Sequence, residues 1–153
     1  MDIGSGKKYP SNALSNFAPH PFVFDDVECN SMEGLLQSFK FKEPDIQKEV
    51  CKLVGKAAKF RGKPKKWFTT QKLHWMGVEY ERKSDEYQKL LDRAFNALSQ
   101  NDGFRRALLA SGKSTLTHEI GKSKESETVL TKREFLSRLN NLREKFQLEE
   151  INS

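Results

Sequence analysis

Residues 30–41 of the chain read Asn-Ser-Met-Glu-Gly-Leu-Leu-Gln-Ser-Phe-Lys-Phe, and this stretch predicts an amphipathic helix over about 31–42. It begins like a capping box, with a hydrogen-bond-accepting side chain followed three residues later by Glu33. Because positions i, i+4 and i+7 share one side of a helix, Glu33, Gln37 and Lys40 are expected together on a polar face. A carboxylate, an amide and an ammonium group would then lie side by side.

The rest of the chain supplies further elements by the same periodicity. Helices are predicted from Pro44 to a C-cap at Gly55, from Ser84 to about Leu98, from Asp102 to Ser111 and from Thr131 onward. Extended pieces are predicted over 22–29, as a hairpin, and over 115–120. One domain is expected over residues 1–147, with a frayed tail over 148–153. The predicted fold class is mainly α, a single compact helical domain with a few short β-strands.

The charge of the chain favours an anionic partner. Its 153 residues carry 27 Lys and Arg against 21 Asp and Glu, which gives a formal charge of +6. Nucleotides, nucleic acids and phosphate ligands therefore become the leading candidates. No apolar run approaches the roughly 18 residues of a membrane span, and the first residues do not form a secretory signal. We expect no membrane partner and a cytoplasmic location.

Metal and cofactor sites are not expected. Cys29 and Cys51 are far apart and match no zinc or redox spacing, which favours buried free thiols over a disulfide. The histidines, His20, His74 and His118, are dispersed and lack further ligands at metal spacing. The sequence therefore predicts no metal ion and no cofactor.

A partial phosphate-loop pattern occurs at residues 107–114, which end in Gly-Lys-Ser. A phosphate loop requires a strand before the loop and a helix that opens at the lysine. Here a helical stripe comes first, so Gly112 is interpreted as a helix C-cap followed by a polar turn. A nucleotide triphosphatase is therefore not favoured.

The most cationic stretch of the chain lies at residues 55–66, which contain six Lys or Arg and no acidic residue. It is either a solvated basic loop or a segment that follows a phosphate backbone while an aromatic ring stacks on a base. Trp67 and Trp75 are likewise either core residues or stacking platforms. Charge and composition alone leave both pairs of alternatives open.

Glu33 also has two interpretations. As the last residue of a capping box it would be structural. As a carboxylate in a first helical turn, beside Gln37, Lys40 and a Gly- and Asn-rich loop, it could instead polarise water next to an anionic ligand.

Three segments of the chain together resemble the opening of the NADAR family: Leu14-Ser15-Asn16-Phe17, Pro21-Phe22 and residues 31–41. Weaker similarities follow at 55–58, Trp75 and 109–112 and in the last predicted helix, so that the resemblance covers about Leu14 to Arg143. It implies an N-glycosidase of mainly helical fold that cleaves a bond between ribose and nitrogen. Two substrate classes are known for the family: ADP-ribose on guanine, including guanine in DNA, and early phosphorylated intermediates of riboflavin biosynthesis.

Site residues follow from the resemblance and from the chemistry together. Cleavage of an N-glycosidic bond builds positive charge on the ribose carbon, so a carboxylate is required, and Glu33 is the predicted catalytic residue. Lys40, helped by segment 55–66, would bind phosphate, and Gln37 shares its face. Trp75 would stack on the base or wall the pocket, and Asn16 and Phe17 would complete the rim.

The sequence departs from the family pattern before the last helix. Many members carry an acidic residue and a Trp- and Gly-rich loop there, whereas residues 121–128 of this chain contain one Gly and no Trp. If a second catalytic acid exists, Glu125 is the predicted residue, with Glu119 and Glu127 as alternatives. The function predicted first is removal of ADP-ribose from guanine, in DNA bound through segment 55–66 or in a free nucleotide. Action on riboflavin intermediates and a non-catalytic ADP-ribose or nucleic-acid binding module are the alternatives.

Overall fold

Seven helices and two β-hairpins make up the fold, and the computed structural model describes every residue from Met1 to Ser153. The elements in chain order are α1 (Ser11–Leu14), β1 (Phe22–Phe24), β2 (Val27–Cys29), α2 (Met32–Ser38), α3 (Pro44–Cys51), α4 (Gly55–Gly62), β3 (Lys72–Trp75), β4 (Val78–Glu81), α5 (Asp85–Leu98), α6 (Asp102–Ala110) and α7 (Lys132–Asn152). Short 3₁₀ turns lie at Trp67–Thr69 and Glu125–Glu127. The predicted class, a mainly helical domain with a few short strands, is confirmed.

Helix α5 forms the centre of the core. Ser84 caps it by accepting a hydrogen bond of 3.2 Å from the backbone N–H of Tyr87. Its apolar residues recur every three or four positions, so that they form one buried stripe: Tyr87, Leu90, Leu91, Ala94, Phe95 and Leu98. The predicted helix is confirmed at both ends.

Helix α7 begins with the predicted capping box, in which Thr131 and Glu134 bond each other's backbone N–H groups. It then continues to Asn152, so residues 148–152, for which a frayed tail was expected, are helical in the structure. Two contacts of Arg105 hold this part of the helix against α6. The guanidinium of Arg105 pairs with Glu149 at 2.7 Å and lies 4.4 Å above the Phe146 ring.

Helix α2 starts one residue later than the predicted capping box requires. Its N-cap is Ser31, whose hydroxyl accepts from the Gly34 N–H at 3.0 Å and donates to the Leu53 carbonyl at 2.9 Å. Glu33 is therefore not a capping residue, and its carboxylate is free for another use. The helix ends at Ser38 rather than near 42, because Lys40 and Phe41 continue the chain with tighter i to i−3 bonds.

Gly34 permits an unusually close contact between α2 and the end of α3. A Cβ atom at this position would lie 2.7 Å from the carbonyl oxygen of Leu53 and 3.0 Å from those of Val50 and Cys51. Any side chain would therefore push α2 away from α3.

The prediction that Gly55 ends a helix is wrong. Helix α3 stops at Cys51, and Gly55, with φ of +58°, opens α4 instead. The first eight residues of the cationic stretch 55–66 are consequently helical rather than a loop. Ala58 and Gly62 form the buried side of α4, one turn apart.

The sequence predicted one of the two β-hairpins and missed the other. The predicted hairpin at 22–29 is confirmed as β1 and β2, which pair antiparallel. The hairpin of β3 and β4 was not predicted, although Met76 and Gly77 form the two-residue turn with positive φ that joins such strands. The predicted strand at 115–120 reduces to one parallel bridge between Asp2 and Thr117.

None of the helices is both long and apolar enough to cross a membrane.

Candidate active site

A cleft of about 440 Å³ opens between α2, the basic segment that begins with α4, and the chain that leads into α7. Its lining combines apolar, amide, carboxylate and ammonium groups, as ligand sites do. Two other hollows have volumes of about 610 and 700 Å³. The lining of the first includes one apolar residue, and the lining of the second is entirely polar. The cleft is therefore the candidate site.

Five of the seven predicted site residues line this cleft: Asn16, Phe17, Glu33, Gln37 and Lys40. Helix α2 presents the last three on one face, and the bond from the Lys40 N–H to the Gln37 carbonyl keeps Lys40 there beyond the helix end. The Glu33 N–H donates to the Asn16 carbonyl at 3.0 Å. That bond joins the rim of the cleft to the first turn of α2.

Burial makes the carboxylate of Glu33 harder to ionise. Removal from water raises the pKa of Glu33 above its usual value, and the nearby Gln37 amide and the ammonium groups of Lys40 and Lys59 only partly oppose that effect. Burial also lowers the pKa of Lys40, against the attraction of Glu33. Perturbed pKa values in a carboxylate and an ammonium group in one cleft are typical of a functional site.

The cleft is cationic overall. Its lining includes five lysines and two glutamates: Lys40, Lys59, Lys63, Lys65 and Lys122, with Glu33 and Glu127. Three of them, Lys59, Lys63 and Lys65, belong to segment 55–66, which was predicted to be basic, whereas Lys122 was not predicted to be a site residue. An anionic ligand is therefore favoured.

Gln37 carries an acceptor that no protein group satisfies. Its side chain is 6% exposed, and Oε1 has no hydrogen-bond partner. The amide occupies the space above Gly62, where a Cβ atom would lie 1.9 Å from Oε1. A buried acceptor left unpaired is costly, which distinguishes Gln37 from the other residues that line the cleft.

Residues 127–130, which form the far wall of the cleft, are held from behind by buried side chains. Arg82, fully buried, donates to the Thr128 carbonyl at 2.8 Å, and the Tyr87 hydroxyl donates to the Val129 carbonyl at 2.5 Å. Arg82 is itself held by Glu134 through bonds of 2.6 and 3.1 Å. Sequence analysis missed this arrangement, since nothing local marks Arg82 as buried.

Trp75 does not line the cleft, and the expectation that it walls the pocket is corrected. It is 2% exposed, stacks on Phe24 at 5.3 Å and donates from Nε1 to Asp25 at 2.8 Å. The alternation of β3 turns its side chain into the core. The tryptophan that does reach the cleft is Trp67.

Glu125 also lies outside the cleft. Its carboxylate is 3.8 Å from the guanidinium of Arg82 and faces the polar hollow beside α5 and α7. Glu119 does not line the cleft either, whereas Glu127 does. Of the three acids considered as partners for Glu33, the structure brings only Glu127 to the same cleft.

The whole fold is shared with a bacterial protein. The NMR structure of the Escherichia coli protein YbiA superposes with a TM-score of 0.64 at 17% identity, covering 100% of this chain and 88% of that one. This chain therefore has the fold of YbiA, a mainly helical fold of the kind that the resemblance implied.

Sequence comparison points to bacteriophage proteins. An uncharacterised 17.1 kDa protein from the Gp30-rIII intergenic region of Enterobacteria phage T4 is 39% identical over 149 residues, covering 94% of this chain and 97% of its own. The family model described as bacteriophage protein GP30.3 matches residues 8–144. With a match over nearly its whole length, this chain belongs to the bacteriophage GP30.3 family.

Proposed function

We propose that this protein is an N-glycosidase that hydrolyses a bond between ribose and nitrogen, and that it removes ADP-ribose from guanine. The observation that carries the proposal is the Glu33 carboxylate, half-buried in a cleft with five lysines. The NADAR-like fold supports the general class of reaction. The specific substrate rests on the chemistry of the cleft.

The proposed mechanism uses Glu33 in its ionised form. As the bond to the base nitrogen breaks, positive charge develops on the ribose carbon, and a carboxylate held nearby stabilises it. Glu33 also accepts a proton from the attacking water, whose oxygen bonds the ribose carbon; the base nitrogen departs with the electron pair of the broken bond and takes up a proton from solvent. A pKa raised by burial makes it a stronger base than an exposed carboxylate, which suits this second task.

The lysines would hold the phosphates. A pyrophosphate carries more charge than a single ammonium group neutralises, and Lys40, Lys59 and Lys63 line the cleft on the side of α2 and α4. We propose that the Gln37 side chain, which lines the cleft, contacts the substrate beside Glu33 and Lys40. We propose that DNA carrying the modified guanine lies along segment 55–66.

The phosphorylated intermediates of riboflavin biosynthesis are the second candidate substrate. The cleft, at about 440 Å³, is towards the small end of ligand pockets, which span roughly 300 to 1,000 Å³. A compact phosphorylated nucleoside fits such a volume.

The test is product analysis with two matched glutamine variants. Wild type, Glu33→Gln and Glu28→Gln are each incubated with guanine-ADP-ribosylated DNA and, separately, with riboflavin intermediates. Glu28 is exposed on β2 and controls for the loss of one carboxylate. We expect free ADP-ribose from wild type and Glu28→Gln and a loss of 100-fold or more in Glu33→Gln, roughly the contribution of a general acid or base.

Other outcomes assign other functions. Turnover of riboflavin intermediates with greater catalytic efficiency would select the second substrate. If neither substrate yields product while ADP-ribose still binds, the protein is a binding module. Full activity in Glu33→Gln would overturn the proposed mechanism.

A further inference from the structure

The phenylalanines of this protein divide sharply by exposure. Of the 11, eight are buried and Phe17 is half-buried, while Phe60 is 59% and Phe68 is 52% exposed. Both exposed rings lie within residues 50–78, a stretch without a single Asp or Glu and with eight Lys or Arg. Singly scattered apolar side chains are ordinary on a surface, whereas two exposed aromatic rings inside the longest acid-free stretch of the chain form a pattern.

The geometry of α4 turns Phe60 outward among lysines. Ala58 and Gly62 form the buried side of the helix, and position 60 lies opposite both of them. Lys56 and Lys63, four residues before and three after Phe60, lie on the same outer side. Phe60 is therefore a ring on a cationic helix face.

Phe68 lies where this face meets the cleft. It lines the cleft together with Lys63 and Lys65. The lysines at 56, 59, 63, 65 and 66 form no ion pair, since the described salt bridges of this region involve Lys72 alone. We call Phe60, Phe68 and these five lysines the aromatic–basic surface.

We propose that the aromatic–basic surface binds single-stranded nucleic acid, with unpaired bases stacked on Phe60 and Phe68 and phosphates against the lysines. Exposed rings beside cations are how proteins hold single strands without reading their sequence. A duplex offers phosphates but keeps its base faces covered, so it would engage the lysines and not the rings. Delivery of a modified guanine on this strand to Glu33 would depend on the proposed function. Binding of the strand does not depend on it.

The test is fluorescence anisotropy with a labelled 12-nucleotide oligo-dT, an oligo-rU of equal length and a duplex. We expect tighter binding of the single strands than of the duplex, and affinity that falls as salt rises from about 50 to 200 mM. Phe60→Ala and Phe68→Ala should each weaken single-strand binding by about 5- to 100-fold, the range for one stacked base. Val23→Ala, at an equally exposed position on β1, controls for loss of surface area and should bind as wild type does.

Three results would overturn the proposal: no binding of any oligonucleotide, equal affinity for single strand and duplex, or unchanged affinity in both phenylalanine variants. Preference for oligo-dT or oligo-rU identifies the natural strand as DNA or RNA, and circular dichroism confirms that each variant is folded.

One comparison separates this proposal from the proposed function. Phe60→Ala should lose affinity for the strand yet hydrolyse ADP-ribosylated guanosine at the wild-type rate, because Phe60 does not line the cleft and this substrate has no strand beyond it. Phe60-dependent strand binding without hydrolysis in wild type would refute the glycosidase and leave the strand surface standing. Hydrolysis of modified single strands that is unaffected in both variants would refute the strand surface alone.

Discussion

Glu33 and Glu134 occupy the first turns of two helices, yet their surroundings are opposite. Burial raises the pKa of Glu134, but hydrogen bonds from Arg82, Gln88 and the Thr131 N–H outweigh it, so that the pKa falls below its usual value. Burial raises the pKa of Glu33 as well, and there the opposing groups do not outweigh it.

The difference separates a carboxylate that the fold uses from one that we propose to be catalytic. Glu134 is fully used by the fold, because both oxygens are bonded to protein donors at 2.6 to 3.1 Å. Glu33 lies in a cleft whose neighbouring amide and ammonium groups do not fully offset the cost of burying its charge. A fold tolerates such a cost chiefly at a functional site.

The largest expected effect is on stability, from Glu134→Gln. The substitution removes the buried partner of Arg82 and leaves only the more exposed Glu125 carboxylate, 3.8 Å away; breaking a buried pair costs about 3 to 5 kcal/mol. Urea unfolding measures the change. Glu144→Gln, at an exposed position of the same helix, should stay within about 0.5 kcal/mol of wild type; equal effects of the two would remove the distinction drawn for Glu134.

Gly62→Ala should weaken binding of ADP-ribose about tenfold, because misplacing one hydrogen-bonding group costs roughly 1 to 1.5 kcal/mol. The new methyl group would lie 1.9 Å from Gln37 Oε1 and displace that amide from the cleft. Isothermal titration calorimetry gives the affinity. Gly6→Ala, where a Cβ atom meets nothing within 4 Å, is the matched control, and a shared loss of affinity would exclude the Gln37 explanation.

Glu33→Gln should make the protein more stable at neutral pH by about 0.5 to 2 kcal/mol, the usual range of a stabilising substitution. A raised folded-state pKa means that the favourable contribution of Glu33 is present at low pH and is lost as the pH rises through that pKa. The advantage of Glu33→Gln should therefore grow from pH 4 to pH 7. The cost of Glu134→Gln should shrink as the pH falls, since the pKa of Glu134 is lowered. Thermal melts across this range would refute the comparison if both differences had the same slope.

Lys40→Gln should move the acid limb of the pH–rate profile to higher pH. The ammonium group of Lys40 lowers the pKa of Glu33, so its removal lets burial raise that pKa further. Rates of ADP-ribose release measured from pH 4 to pH 8 give the limb. Lys89→Gln, at an exposed position of α5, should leave it in place; a limb that does not move in Lys40→Gln would show that Glu33 does not set it.

Local signals predicted the elements that local interactions determine. The caps at Ser84 and Thr131 and the stripe of α5 lie within one turn of the groups they serve, so the sequence was sufficient for them. The cap of α2 was misplaced by one residue, because Asn30 and Ser31 are both acceptors. The choice depends on the Leu53 carbonyl, 22 residues away.

The candidate site shows the same limit. The face of α2 brought Glu33, Gln37 and Lys40 together as expected, since helical spacing alone places them. The far wall of the cleft and the burial of Trp75 depend on contacts between segments that are distant in sequence. The spacing of apolar residues within one segment does not indicate such contacts.

Gly34 also constrains how relatives of this protein can vary. Three carbonyl oxygens stand within 3.0 Å of where its Cβ would be, so even alanine would shift the helix that carries Glu33. In a saturation library selected for activity, position 34 should tolerate almost no residue other than glycine, although glycine itself takes no part in the chemistry. When distant family members are sought, glycine immediately after the glutamate is therefore a sharper signature than the glutamate alone.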